Sequence, residues 1–258
     1  MAEKSKYWLM TDENDHHRQI KCKNGFNILN QPFQNDHPSI ASGNEMKVLS
    51  DDPFFHHASS GYQIISSEMI DQFYAWGIYY PFGKKGLYIR EAKLPENTPQ
   101  LKVIECGSGI LRTNIIQLGK KHPLADPKTY QKLSIKMISL GHAAMYGFLK
   151  LLKDQFEKHK RQQIEFCFDQ TEIYYASRHG QLEVLKWWFK ICQDQKRPFI
   201  SDYTATGAAS RYGHLDVLKW WFKISYQCQK EGIEFKFTID VIDDALEKGH
   251  LDVLKWWF

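Results

Sequence analysis

A chain of 258 residues with 43% hydrophobic and 14% aromatic side chains carries enough apolar surface to build one large packed domain or two ordinary ones. Its formal charge of +4 is spread over 34 basic and 30 acidic side chains with no long basic block, so no specific nucleic acid is indicated. No stretch approaches the roughly 20 apolar residues of a membrane helix, and the start, "MAEKSKYWLMTDEND", lacks the apolar core of a secretory signal, so an intracellular, cytoplasmic protein is expected.

In residues 1–125, short β-prone runs ("KYWLMT", "GFNILN", "GYQIIS", "LYIREAKL", "LKVIEC") are divided by Gly, Asn, Asp and Pro clusters. One segment, "SSEMIDQFYAWG" from Ser66, predicts a helix with a serine cap and Gly77 as its stop. An α+β N-terminal domain follows, with residues 35–57 as a long polar surface loop. The pairs His16-His17 and His56-His57 invite a metal hypothesis, but no cysteine pair or E-x-x-H completes a ligand set, and both read as solvent-exposed loop histidines. "CGSGILR" from Cys106 and "LGKK" from Leu118 lack phosphate-loop spacing and read as turns. The five cysteines, Cys22, Cys106, Cys167, Cys192 and Cys228, are scattered and never form C-x-x-C, which argues for free thiols in a reducing compartment. No catalytic, cofactor-binding or metal-binding set emerges, and no cofactor is expected.

Residues 126–165 predict a junction holding a degenerate repeat, with "FLKLL" (148–152) lying 36 residues before "VLKWW" and Ala144 standing at the place of a repeat glycine. The repeats themselves fill residues 166–258. "HGQLEVLKWWF", "YGHLDVLKWWF" and "KGHLDVLKWWF" recur around Gly180, Gly213 and Gly249, 33 and then 36 residues apart. Thr171, Thr204 and Asp240 are candidate caps of a short first helix that the glycine ends. After each glycine, Leu, Val, Trp and Phe at three- and four-residue spacings predict a second, more apolar helix. Three helix pairs, 171–189, 204–222 and 240–258, result. Period-two stretches, "IEFCF" from Ile164 and "IEFKF" from Ile233, predict extended chain between pairs. Trp187, Trp220 and Trp256 would form an exposed ladder for a partner on one reading, but both tryptophans of each pair are expected in the seam between units, because a unit this small cannot bury its apolar face alone.

The unit resembles an ankyrin repeat, on Thr171, Ile173, Ala176, Gly180, Leu182, Val184, Leu185 and Lys186. It departs from that pattern where Tyr174, Gly207 and Asp243 replace the family's histidine, and Glu172, Ala205 and Val241 its proline. The first half resembles the domain that precedes ankyrin arrays in mimivirus-group proteins, on "YWLMT", "NGFNILN", "MIDQFYAWGIYY", "IREAKLP" and "RTNIIQLGKKHPL". The resemblance implies an all-α ankyrin-like repeat solenoid behind the α+β domain, acting without enzymatic activity as a protein-interaction scaffold or adaptor in host cytoplasm. It also implies partner contacts at the two places before each glycine: Arg178 with His179, Arg211 with Tyr212, and Glu247 with Lys248. Two alternatives stay open: an enzyme or enzyme relic in the first half, and an adaptor for a host ubiquitin ligase. The C-terminal repeat carries no polar capping unit, so self-association through it is expected.

Overall fold

The structure, a computed structural model, describes residues 6–17, 20–30, 33, 61–70, 87–106, 109–197, 199, 203–230 and 240–258. The chain divides into two compact units, Met1–Met137 and Ile138–Phe258. Among the described residues, no helix is long and apolar enough to cross a membrane.

The first unit is sheet-rich. Its strands are β1 (Tyr7–Thr11), β2 (His16–His17), β3 (Ile20–Lys21), β4 (Gly25–Ile28), β5 (Tyr62–Ser66), β6 (Tyr88–Lys93), β7 (Val103–Glu105), β8 (Ile110–Thr113) and β9 (Ile115–Pro123). Seven of them form an antiparallel sheet in the order β4-β9-β6-β1-β5-β8-β7, and β2 with β3 makes a small ribbon. One face buries Leu9, Tyr62, Ile64, Ala92, Ile116 and Leu118 with Cys22. Alternation along the strands sends Trp8, Met10, Ile65 and Ile89 to the other face, where they are buried too. The expected helix from Ser66 begins as a 3₁₀ turn at Ser67–Met69; beyond Ile70 its expected range lies outside the described residues, as do His56-His57 and the expected loop at residues 35–57.

Two sequence expectations in this unit are overturned. "LGKK" is not a turn: Gly119 sits inside β9, the longest strand, which is held on one side by β4 and on the other by β6. His17 is not solvent-exposed but buried. Its Nδ1 donates to the Met10 carbonyl at 2.8 Å, and its Nε2 accepts from the Gln63 amide at 3.2 Å. Both ring nitrogens thus serve the core. Nearby, the buried Arg90 donates to Asn24 at 2.7 Å, to the Gly119 carbonyl at 3.0 Å and to Asp15, which also meets Lys121 at 3.1 Å. Burial works to raise the Asp15 carboxyl, but hydrogen bonds and charge from Lys121 and Arg90 overcome it and hold the group below its ordinary value. A buried guanidinium needs such partners, and here they tie the β2–β3 ribbon region to the sheet.

Helix α1 (Pro127–Leu133), capped by Asp126 and ended by Ser134 in the left-handed region, closes this unit. The second unit is helical. Its elements are α2 (Leu140–Met145), α3 (Leu149–Gln162), α4 (Gln170–Arg178), α5 (Leu182–Asp194), α6 (Tyr203–Arg211), α7 (Leu215–Lys230), α8 (Asp240–Lys248) and α9 (Leu251–Trp257). They form four helix pairs in a row, with first helices α2, α4, α6 and α8 packed each on the next. Ala143, Ala176, Ala209 and Ala245, at one repeat position, are all buried and let these helices approach closely.

The earliest pair is more regular than the sequence suggests. Gly147, not Ala144, occupies the turn between its helices, with φ +70° against +69°, +72° and +72° at Gly180, Gly213 and Gly249. Ala144 instead lies inside α2, fully buried. The cap of α4 is also relocated. Asp169 accepts from the Thr171 amide at 2.8 Å while Glu172 accepts from the Asp169 amide at 2.9 Å, a reciprocal capping box that places Thr171 within the helix. Between α3 and α4, Phe166 and Phe168 are buried and Glu165 and Cys167 exposed, so the expected alternation governs burial there although no strand forms, but Ile164, where it should begin, is 56% exposed. The corresponding stretch at residues 233–237 lies outside the described residues.

Candidate partner-binding face

The residues before each turn glycine sit at the C-terminal ends of α4, α6 and α8. A helix end leaves its last carbonyls without intrahelical partners, and this protein meets that need from the following helix pair. Gln181 donates from Nε2 to the Met145 carbonyl at 3.0 Å. His214 does the same to the Arg178 carbonyl at 2.9 Å, and His250 to the Arg211 carbonyl at 2.9 Å. All three donors directly follow a turn glycine, and all three acceptors lie two residues before the glycine of the preceding pair. Sequence reasoning missed this ladder. Its signal was present in the repeated Gly-Gln, Gly-His, Gly-His pairs.

Each donor also lies over the preceding glycine. A Cβ on Gly147 would meet the Gln181 side chain, and one on Gly180 or Gly213 would stand 2.7 or 2.6 Å from Nδ1 of His214 or His250. Glycine is therefore required twice, for its left-handed backbone and for the approach of the next pair.

Aromatic rings close the same seams. Phe156 meets Trp187 edge to face at 6.0 Å, Phe189 meets Trp220 at 5.9 Å and Phe222 meets Trp256 at 5.6 Å. The two tryptophans of a pair separate in role. Trp188 and Trp221 are buried, with Trp221 Nε1 donating to Ser177 Oγ at 3.1 Å, while Trp187, Trp220 and Trp256 are half-buried at the seam.

The six residues singled out from the sequence fall on one line across the first helices, and several engage one another. The Arg178 guanidinium lies over the Tyr212 ring at 4.7 Å. Arg211 reaches Asp244 at 2.8 Å and grips Glu247 through two contacts at 3.0 and 3.1 Å, and Glu247 in turn meets Lys248 at 2.9 Å. The hydrogen bond from Lys248 and the charge of Arg211 hold the Glu247 carboxyl below its ordinary value. His179 is half-buried with Nε2 unpartnered among the described residues, and burial, aided by Arg178 and His214, pushes its imidazole down to about 4. Glu247, Lys248 and Tyr212 present the most open surface of the six. Aromatic and charged side chains thus recur at matching places at the ends of α4, α6 and α8.

Among the described residues there is no group of three or more His, Cys, Asp or Glu that could hold a metal ion. A cleft of about 310 Å³ beside Trp188 includes Asp169, Cys192 and Arg197, but Asp169 is committed to its helix cap.

No protein-family model matches the chain. It is similar to an ankyrin repeat protein of Acanthamoeba polyphaga mimivirus, 29% identical over 154 residues that cover 57% of this chain. A second ankyrin repeat protein of the same virus is 44% identical over 52 residues, 18% of this chain. The chain spans 64% of the length of the first relative and 18% of the second.

Proposed function

We propose that this protein is a non-enzymatic protein-interaction module of viral origin, in which an α+β domain spanning residues 1–125 is followed in the chain by an ankyrin-like solenoid that displays a partner-binding face. Residues 126–165 form the junction and its repeat, and residues 166–258 the three ankyrin-like repeats. The observation that carries this reading is the division of labour within the repeat. Glycine, its following donor and the Trp-Trp pair recur to build the seams, whereas the places before the glycine change from Arg178 and His179 to Arg211 and Tyr212 to Glu247 and Lys248. A scaffold held constant beneath a varied surface is what a recognition protein requires. Similarity to mimivirus ankyrin repeat proteins supports the same reading, and the proposed partner is a host or viral protein.

The test uses Tyr212→Ala and Lys248→Ala together, since both side chains are exposed and neither is one of the ladder donors. Capture from amoebal lysate by the full chain and by this variant is compared by quantitative mass spectrometry, with circular dichroism as the control for folding. Loss of the same captured proteins at unchanged helicity supports the proposal. An identical captured set from a folded variant removes this face from partner binding.

A further inference from the structure

The seven-stranded sheet of the first unit ends on β4, whose outer side no strand covers among the described residues. In an antiparallel pair, residues that bond the neighbouring strand alternate with residues whose N–H and C=O groups point away from it. Leu29 donates to the Asn114 carbonyl at 2.9 Å, and the same register sets Asn27 opposite Ile116 and Gly25 opposite Leu118. Phe26 and Ile28 are therefore the outward pair. Their backbone groups find no hydrogen-bond partner among the described residues, and their side chains, on one face of the sheet, are 53% and 62% exposed. The edge is also held in place, since Asn27 accepts from the Lys23 amide at 2.8 Å and donates to the carbonyls of Lys23 at 2.8 Å and Gly25 at 2.9 Å.

We infer that β4 is a docking edge for an extended segment of another protein, which adds to the sheet as a further strand and carries apolar residues opposite Ile28 and Phe26 followed by carboxylates. Main-chain bonds to Phe26 and Ile28 supply affinity, and the side chains beside them supply selectivity. Charge at the edge decides the occupant. Residues 20–30 hold Lys21 and Lys23 and neither Asp nor Glu, and two more exposed lysines lie behind them. Lys93 stands in one row with Gln117 and Phe26, 3.9 Å from Glu91, and Lys120 lies in β9 just past its last pair with β4. A second copy would bring the same lysines to the joint, and lysine at a strand edge opposes such self-pairing. A dimer held by this four-residue strand alone would also fall short of the roughly 1,000 Å² that a stable interface buries. An acidic segment instead meets opposite charge. Running antiparallel to β4, it passes Ile28, then Phe26, then Lys23, so its apolar residues precede its carboxylates. This site lies in the first unit and owes nothing to the partner-binding face of the repeats, so the two proposals fail separately.

The test titrates the full chain with the end-blocked peptide Val-Thr-Val-Thr-Glu-Glu, whose valines would stand opposite Ile28 and Phe26, and follows amide hydrogen exchange by NMR. At millimolar peptide, exchange at Phe26 and Ile28 is expected to slow by about tenfold or more, while Asn27 and Leu29, already bonded to β9, change by less than about twofold. Methylating the two valine amides, which would face β4, is expected to abolish this protection, whereas methylating the two threonine amides, which would face away, is expected to keep it. A peptide ending in Lys-Lys is expected to lose it as well. No slowing, or equal slowing by the valine-methylated or the lysine-ended peptide, overturns the inference. So does protection of Phe26 and Ile28 in the protein alone that rises with its concentration, because the occupant would then be a second copy.

Discussion

The imidazole of His214 lies over Gly180 and donates to the carbonyl of Arg178 at 2.9 Å, so one side chain fills the space left by a glycine and satisfies the end of the helix that the glycine terminates. The same relation joins His250 to Gly213 and Arg211, and Gln181 to Gly147 and Met145. Backbone geometry, packing and polar satisfaction meet at one residue per seam. Neighbouring pairs are held in register for that reason.

Gly213 and Gly249 separate these contributions. Both have φ +72°, so alanine at either place meets the same left-handed penalty of about 1–2 kcal/mol. Only at Gly213 would the new Cβ also stand 2.6 Å from the His250 ring. Gly213→Ala is expected to lower stability by about 1 kcal/mol more than Gly249→Ala, the added cost of overpacking, in urea titrations of the two variants. Equal losses would mean that the ring moves aside freely and that close approach is not what selects glycine here.

Leu218 is fully buried between α6 and α7. Leu218→Ala removes most of a core side chain and is expected to cost about 2–5 kcal/mol, depending on how far the seam collapses into the space. Trp221→Phe is a milder probe at the same level, since it removes the Nε1 donor and leaves the buried Ser177 hydroxyl without that partner. Its expected cost is about 1–3 kcal/mol, the desolvation penalty of an unsatisfied buried group. Equilibrium unfolding of both variants ranks them, and the reverse order would contradict the assignment of faces.

Arg211 is the residue whose expected behaviour the structure changes most. From sequence it is an exposed charge whose removal touches binding alone. In the structure it spans the seam to Asp244 and Glu247. Arg211→Ala is therefore expected to lower stability measurably at low ionic strength, since it takes from Asp244 and Glu247 the cation they share across the seam. The difference from the unsubstituted chain should vanish near 1 M salt, where the screening length falls to about 3 Å. A loss independent of salt would mean that Arg211 acts by packing.

Much of the helical half was legible because its signals are local. Gly180, Gly213 and Gly249 mark turns by the positive φ that they alone adopt cheaply, and the apolar spacing after them fixes the buried faces of α5, α7 and α9. What escaped were relations between distant residues. Gly147 is obscured in the sequence because "FLKLL" lies 36 residues before "VLKWW" and so points to Ala144, whereas the two turn glycines are 33 apart. "LGKK" looks like punctuation, yet it lies inside β9, where pairing to β4 reaches Leu118 and pairing to β6 continues through Lys121, so the strand tolerates a glycine and two lysines. His17 was read as solvent-exposed because nothing in its neighbours announces that Met10 and Gln63 would fold over it. The candidate face was legible as positions but not as contacts, since the grip of Arg211 on Glu247 crosses 36 residues of chain.

The thiols give a simple check on both halves. Cys167 is exposed, whereas Cys22 and Cys192 are buried, and burial pushes the Cys22 thiol up to about 11. A thiol held protonated and covered reacts slowly, because the thiolate is the nucleophile. Iodoacetamide at pH 8 followed by peptide mapping should modify Cys167 in the native protein and reach Cys22 and Cys192 only with denaturant. Rapid native labelling of Cys22 would contradict the packing of the sheet face that contains Leu9 and Tyr62.

His179 supplies the last prediction, because the fold holds its imidazole at about 4 whereas the unfolded chain restores the ordinary value of 6.5. Burial disfavours the imidazolium, and Arg178 and His214 add like charge when it forms. A depressed histidine binds its proton more readily unfolded than folded, so its contribution to stability is present in full above pH 6.5 and is lost as the pH falls from there through about 4. His142, also held down by burial, and the carboxylates titrate over overlapping ranges, so the acid response of the unsubstituted chain alone assigns nothing. His179→Gln keeps a polar side chain of similar reach and removes the titration. Urea midpoints measured from pH 7.5 to 4.5 should fall more steeply for the unsubstituted chain than for the variant, with the two curves diverging below pH 6.5. Parallel curves would show that the imidazole reaches solvent when protonated and that its burial in the first-helix line is not held against acid.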